Sequence, residues 1–216
     1  MEHKEGSDRN QEILFPPKID DYVGEENLVR FIEAFVSILN LIELGFTHAE
    51  LKATGRPSYN PADLLKLYIY GYLNCIRSSR KLEKECLRNI EVMWLLKKLA
   101  PDHKTIADFR KNNADAIKKV FKQFVFFCKE LDLYGREVVG IDGSKFKAVN
   151  SKKRNCLCEH PFGTIKRGLN QGYLLLKGLK KVGGEIGLTM LVYNIRRVIN
   201  ILGVSKLMEI MDIAKA

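Results

Sequence analysis

Two carboxylates and a few basic clusters are the side chains whose types and spacing could do chemistry. Asp142 stands in VVGIDGSKFKA, at the end of a short β-branched run and just before Gly-Ser. An acid in that place can hold a metal at a sheet edge, and it can equally shape the turn. Glu159 stands in EHPFGTIKR, where Pro161 suits a first helical turn and Lys166 and Arg167 follow about two turns on. Such a helix start could present a metal ligand beside phosphate-binding bases, although a plain helix-start acid looks the same. Two hard divalent cations need several carboxylates brought together, because Mg2+ takes oxygen ligands and keeps some of its waters.

The basic clusters suggest contact with a polyanion. In DHKTIADFRKNN, two short helices joined by a tight LAPDHK turn would resemble a helix-turn-helix, with Lys104, Thr105, Arg110 and Lys111 as the reach of its second helix. The competing reading is that His103 and Asp108 only cap and pack that turn. Lys152, Lys153 and Arg154 in SKKRN, and Arg196 and Arg197 further on, are candidate phosphate contacts, and exposed charge alone explains them nearly as well. CLCEH (Cys156, Cys158, His160) lacks the pair spacing and the fourth ligand of a structural zinc site. No phosphate loop, serine elbow or HExxH pair occurs.

The elements that would position these groups are mostly helices. Residues 1–24 are polar and turn-rich and read as an arm. EENLVRFIEAFVSILNLIELG places Leu28, Phe31, Ile32, Phe35, Ile38, Leu39 and Ile42 on one stripe, opened by Glu25 and Glu26 and stopped by Gly45. Asn60 and Pro61 open a second helix, and Ser78-Ser79 break the chain before a short charged helix around residues 80–88. Asn89 can cap IEVMWLLKKL, Thr105 and Asp108 resemble a capping box, and Asn113 can cap a long helix bearing Ile117, Val120, Phe121, Phe124, Phe127, Cys128 and Leu131. Tyr68, Tyr70 and Tyr72 read as packing residues. After Gly135 the period changes, and EVVGID reads as a buried strand. A stronger helical run over Glu185–Leu202 ends at Gly203.

Composition narrows the class. The 216 residues are 46% hydrophobic and 29% charged, enough apolar material for a core, so a wholly disordered chain is excluded. No apolar run approaches the ~20 residues that span a bilayer, so no membrane role is expected. The start, MEHKEGSDRN, lacks a secretory apolar stretch, and five scattered cysteines fit a reducing, cytoplasmic setting. The net charge of +10 rises along the chain: −7 over residues 1–50, +7 over 51–142 and +10 over 143–216. That gradient suits later segments that meet a polyanion such as double-stranded DNA, and a basic, solvated surface explains it equally well.

TGRPSYNPADLLKLYIYGYLNCIRSSRKLEKECLRNIEVMWLL, LAPDHKTIADFRKNN and VVGIDGSKFKAVNSK together resemble the front half of bacterial insertion-sequence DDE transposases with an InsH-type N-terminal domain. EHPFGTIKRGLNQGYLLLKGLKKVGGEIGLTMLVYNIRRVINILG is similar to the last segment of the same enzymes. The resemblance covers roughly residues 10–205. It implies a helical DNA-binding module followed by an RNase H-like core, in which three carboxylates hold two Mg2+ or Mn2+ ions for attack on phosphodiesters. Asp142 matches the first acid by its DGS context, and Glu159 the closing acid by its EHPFGTIKR context.

The departure matters as much as the match. Only sixteen residues separate Asp142 from Glu159, none of them acidic, so the segment that carries the second catalytic Asp is missing. The expected fold is mainly α: an arm over 1–24, a helical transposase N-terminal domain over 25–134, and a truncated DDE remnant over 135–216, an incomplete RNase H-like α/β piece. The expected function is DNA binding for insertion-sequence transposition, catalytically defective in this chain alone. Two alternatives stay open. One is a non-catalytic remnant that forms homo-oligomers, or mixed oligomers with a full-length transposase and so modulates it. The other is a helical interaction module with no DNA role.

Overall fold

The computed structural model describes residues 18–50, 57–133, 165, 169, 171 and 173–215. Among them the chain is mainly helical and holds no strand. The expected strand over 137–142, and with it the RNase H-like remnant, falls outside the described residues.

Local signals explain most helix starts. After a short 3-10 turn, Ile19–Tyr22, helix α1 (Leu28–Ser37) begins at Asn27, whose side chain accepts from the Val29 amide at 3.0 Å. Glu25 and Glu26 therefore lie in the turn ahead of the helix, not inside it. The single stripe expected from Leu28 to Ile42 is broken. The helix stops at Ser37, and Asn40 caps a separate short α2 (Leu41–Leu44) by accepting from the Glu43 amide. The break leaves Ile38 and Ile42 exposed but turns Leu44 and Phe46 inward, where Phe46 stacks on Phe109 with ring centroids 5.7 Å apart. Gly45 closes α2 at φ 79°, a conformation that costs glycine little.

Helix α3 (Pro61–Leu73) starts as the residue types require: Asn60 accepts from the Ala62 amide at 2.9 Å, and Pro61 fills the first position. All but two of its residues, Ala62 and Asp63, are buried, which makes it the central helix. Then come α4 (Ser79–Arg88) and α5 (Ile90–Leu95), the latter capped by Asn89. It ends where Lys97 and Lys98 take positive φ. Helix α6 (His103–Asn112) is capped by Asp102, which accepts from the Lys104 and Thr105 amides. Thr105 and Asp108 do not form the expected capping box, because the Thr105 hydroxyl donates back to Asp102 at 2.7 Å. Asn113 does not cap α7 (Ala114–Glu130) either. Its carbonyl oxygen accepts from the amide and hydroxyl of Thr47, and its NH2 donates to the Phe109 carbonyl.

The tail contributes α8 (Leu179–Leu202), which begins six residues earlier than its apolar pattern suggested, and α9 (Val204–Lys215). Helices α7 and α8 make the most extensive helix–helix contact among the described residues. Leu188, Leu191, Val192 and Ile195 of α8 are fully buried, each contributing about 1.5–3 kcal/mol on the usual area scale. Helix α9 returns to lie on α1. The last two helices thus share one core with α1 to α7, which contains Phe35 packed edge-on against Phe124.

A polar node also ties the front helices together. Glu91 of α5 accepts from Asn27 and from the Tyr70 hydroxyl, and Asn89 donates to that same hydroxyl. The 3-10 turn is draped against α5: Trp94 donates to Asp20 at 2.7 Å, Arg30 pairs with Asp20 at 3.1 Å, and its guanidinium lies 5.2 Å above the Trp94 ring.

Candidate nucleic-acid interface

Helix α6 carries the residues expected to reach DNA, and its capping decides which way they point. Once Asp102 fixes the first turn, Ile106, Phe109 and Arg110 face the core, while Lys104 and Lys111, two turns apart, face solvent. Thr105 is half-buried and spends its hydroxyl on Asp102. That hydroxyl bond, with two backbone amides, holds the Asp102 carboxyl below its ordinary range.

Arg110 is a correction to the expected DNA face. Its guanidinium is buried, donating to the Tyr72 hydroxyl at 3.3 Å and the Arg77 carbonyl at 3.2 Å, and lying 5.4 Å over the Tyr68 ring. Burial pushes the Tyr68 and Tyr72 hydroxyls up, so both are neutral beside it. This arginine organises the core.

Next to it lies a second buried cation. Arg77 donates to Glu185 of α8 at 2.7 Å and to the Tyr173 carbonyl at 2.6 Å. Glu185 also accepts from the amides of Leu175 and Leu176 at about 3 Å, so its charge is fully surrounded by donors. Neither residue stood out in the sequence. The available signal was an acid set between glycines in the otherwise apolar GGEIGL.

Helices α4 and α6 run antiparallel. Arg77, just before α4, meets Arg110 near the end of α6, and Glu83 in mid-α4 meets His103 at the start of α6, at 3.1 Å. Their solvent faces carry Arg80, Lys81, Lys84 and Arg88 on α4 and Lys104 and Lys111 on α6. The α4 residues were missed as site residues although their spacing is helical.

On the other side of α6 is an open cleft of about 690 Å3 against the start of α3. Among the described residues its lining includes Asp63, Asp102 and Asp108 and no Lys or Arg. Among the described residues no three His, Cys, Asp or Glu side chains gather as a metal site, there or elsewhere.

The remaining expected contacts divide. Arg196 is half-buried and donates to the Leu73 carbonyl, whereas Arg197 is exposed. Asp142, Lys152, Lys153, Arg154, Glu159, Lys166 and Arg167 lie outside the described residues, as do Cys156, Cys158 and His160. No described helix is long and apolar enough to cross a membrane.

No curated protein and no solved structure matches the chain. Residues 17–112, from the 3-10 turn through the last residue of α6 and somewhat less than half of the chain, match the family described as Transposase domain (DUF772).

Proposed function

We propose that this chain binds duplex DNA as an internally deleted insertion-sequence transposase of InsH type, without strand-transfer activity of its own. One observation carries the reading: the segment that matches a transposase domain is also the segment whose helices α4 and α6 expose basic side chains. Each phosphate that such side chains neutralise releases condensed counterions, which gives affinity without sequence preference.

The chemistry of the parent enzymes needs Mg2+ or Mn2+ held by three acids. The donor set here does not fit. Asp142 and Glu159 have no acid between them, and Glu209 and Asp212 of α9 join no metal-binding group among the described residues.

The reading is tested by fluorescence anisotropy of a labelled duplex titrated with the full chain at several salt concentrations. The expected result is affinity that falls steeply with salt; a slope near zero in log K against log [salt] defeats it. Inactivity is tested separately, by incubating supercoiled DNA with Mg2+ or Mn2+. Nicking that disappears in Asp142→Asn would overturn that part.

A further inference from the structure

We infer that the solvent face of α4 is the principal DNA-gripping surface of this chain, with Arg80, Lys81 and Lys84 as its phosphate contacts. The inference rests on the DNA-binding reading above and names the surface that performs it.

The helix sorts its residues sharply. Leu82, Glu85 and Cys86 are buried, while Arg80, Lys81, Lys84, Leu87 and Arg88 are exposed, which is one face at i, i+1, i+4, i+7 and i+8. Successive turns of that face bring a cation forward about every 6 Å along the axis.

On this face only Arg88 is paired among the described residues, with Glu85. Arg80, Lys81 and Lys84 enter no ion pair among the described residues. The two acids of α4 are turned away: Glu85 is buried and accepts from Arg88 and Asn89, and Glu83 faces His103. Lys104 and Lys111 of α6 and Lys119, Lys122 and Lys129 of α7 are not ion-paired either among the described residues, but α6 is capped by exposed Asp102 and α7 carries exposed Asp115 and Glu130, whereas α4 exposes no acid. A concentration of unneutralised positive charge is what attracts a polyphosphate backbone.

The face is also rigid and shaped for a duplex. Buried Leu82 and Cys86 anchor α4, and Gly71 of α3 lets the two elements approach so closely that a Cβ there would meet the Leu82 side chain at 2.5 Å. A helix of this girth fits a major groove about 12 Å wide. Leu87, 65% exposed between Lys84 and Arg88, gives the face one apolar tip of the kind that meets a thymine methyl.

The test compares three forms of the full chain by anisotropy on the same labelled duplex over a salt series. They are the wild type, the triple variant Arg80→Gln, Lys81→Gln, Lys84→Gln, and a control with equal charge loss on α7, Lys119→Gln, Lys122→Gln, Lys129→Gln. All six side chains are exposed, and circular dichroism melts verify that each variant keeps the fold. The α4 variant is expected to flatten the log K against log [salt] slope by about 2 to 3, at roughly 0.9 per phosphate contact, while the control keeps the wild-type slope. A wild type that binds with an α4 variant of unchanged slope overturns the inference and leaves the DNA-binding reading standing. Equal losses in both variants overturn it too, since they mean diffuse charge. A wild type that fails to bind brings down both.

Discussion

Arg77 and Glu185 stand 108 positions apart in the chain, yet their guanidinium and carboxylate meet at 2.7 Å inside the protein. The contact joins the loop between α3 and α4, within the transposase-domain match, to α8 in the tail. Leu175, Leu176 and Tyr173 add backbone contacts to the pair, which pins the entry into α8 as well. The front helices and the tail helices are therefore held in one register by charge as well as by apolar packing.

Removing Glu185 takes from Arg77 its buried carboxylate. Glu185→Ala leaves the Arg77 charge buried and two amides without their acceptor, and is expected to cost about 3–5 kcal/mol of unfolding free energy in a urea titration. Replacing both by apolar residues, Arg77→Met with Glu185→Leu, should recover much of that loss, because neither charge of the pair then remains buried. A double variant no more stable than Glu185→Ala would show that the pair's value lies in its hydrogen bonds to the chain entering α8.

Gly184 is a position where any side chain is excluded by backbone. A Cβ added there would come within 2.6 Å of the Ala114 Cα and 2.9 Å of its carbonyl oxygen, so α7 and α8 would have to separate. Gly184→Ala is expected to lose about 1–3 kcal/mol, the usual cost of overpacking, despite alanine's better helix propensity. The control is Gly24→Ala, with nothing within 4 Å of the added atom, which should change the melting temperature little. Equal effects at both sites would refute the close-packing account.

These contacts explain where sequence reading reached and where it stopped. Starts and stops set by a residue's own backbone chemistry, at Asn60-Pro61, Asn89, Gly45 and Gly203, follow from residue type alone. The break at Ser37 did not show, because the apolar spacing runs on through Ile38, Leu39 and Ile42. It was decided by the burial of Leu44 and Phe46 against distant helices. Asn113 has the right type for a cap, but Thr47, 66 positions away, claimed its carbonyl oxygen. The same limit applies to charge. Nothing in FRKNN distinguishes Arg110, held inside by Tyr68 and Tyr72, from Lys111 outside, since both partners come from α3. The α4 face was legible in principle from its spacing, whereas Glu185 needed the fold to identify its partner.

Asp102 offers a test of local capping with a defined pH signature. Asp102→Ala removes the acceptor for the Lys104 and Thr105 amides and for the Thr105 hydroxyl, and should lower stability by about 1 kcal/mol at neutral pH, or roughly 2–4 °C in melting temperature for a chain of this size. The carboxyl is held below its ordinary value of 3.8 in the fold, so its stabilisation is present above that value and fades as pH falls through the lower folded one. The gap between wild type and variant should therefore narrow in acid. A gap independent of pH would mean that the charge of Asp102 contributes nothing and only its shape matters.

At alkaline pH the sign reverses, and the buried thiols and phenols govern it. Burial pushes Cys86 and Cys128 up to about 11 from an ordinary 9, and raises Tyr68, Tyr70 and Tyr72 as well. Between pH 9 and 11 the unfolded chain releases protons that the folded chain keeps, so the folded state binds more of them and stability falls as pH rises. Thermal melts should show melting temperature declining steadily across that window. In the intact fold both thiols should resist iodoacetamide at pH 8, where on the order of one in a thousand is ionised, and react at ordinary rates once urea exposes them. Rapid alkylation of Cys128 in the native protein would contradict the burial of α7 under α8 on which this expectation depends.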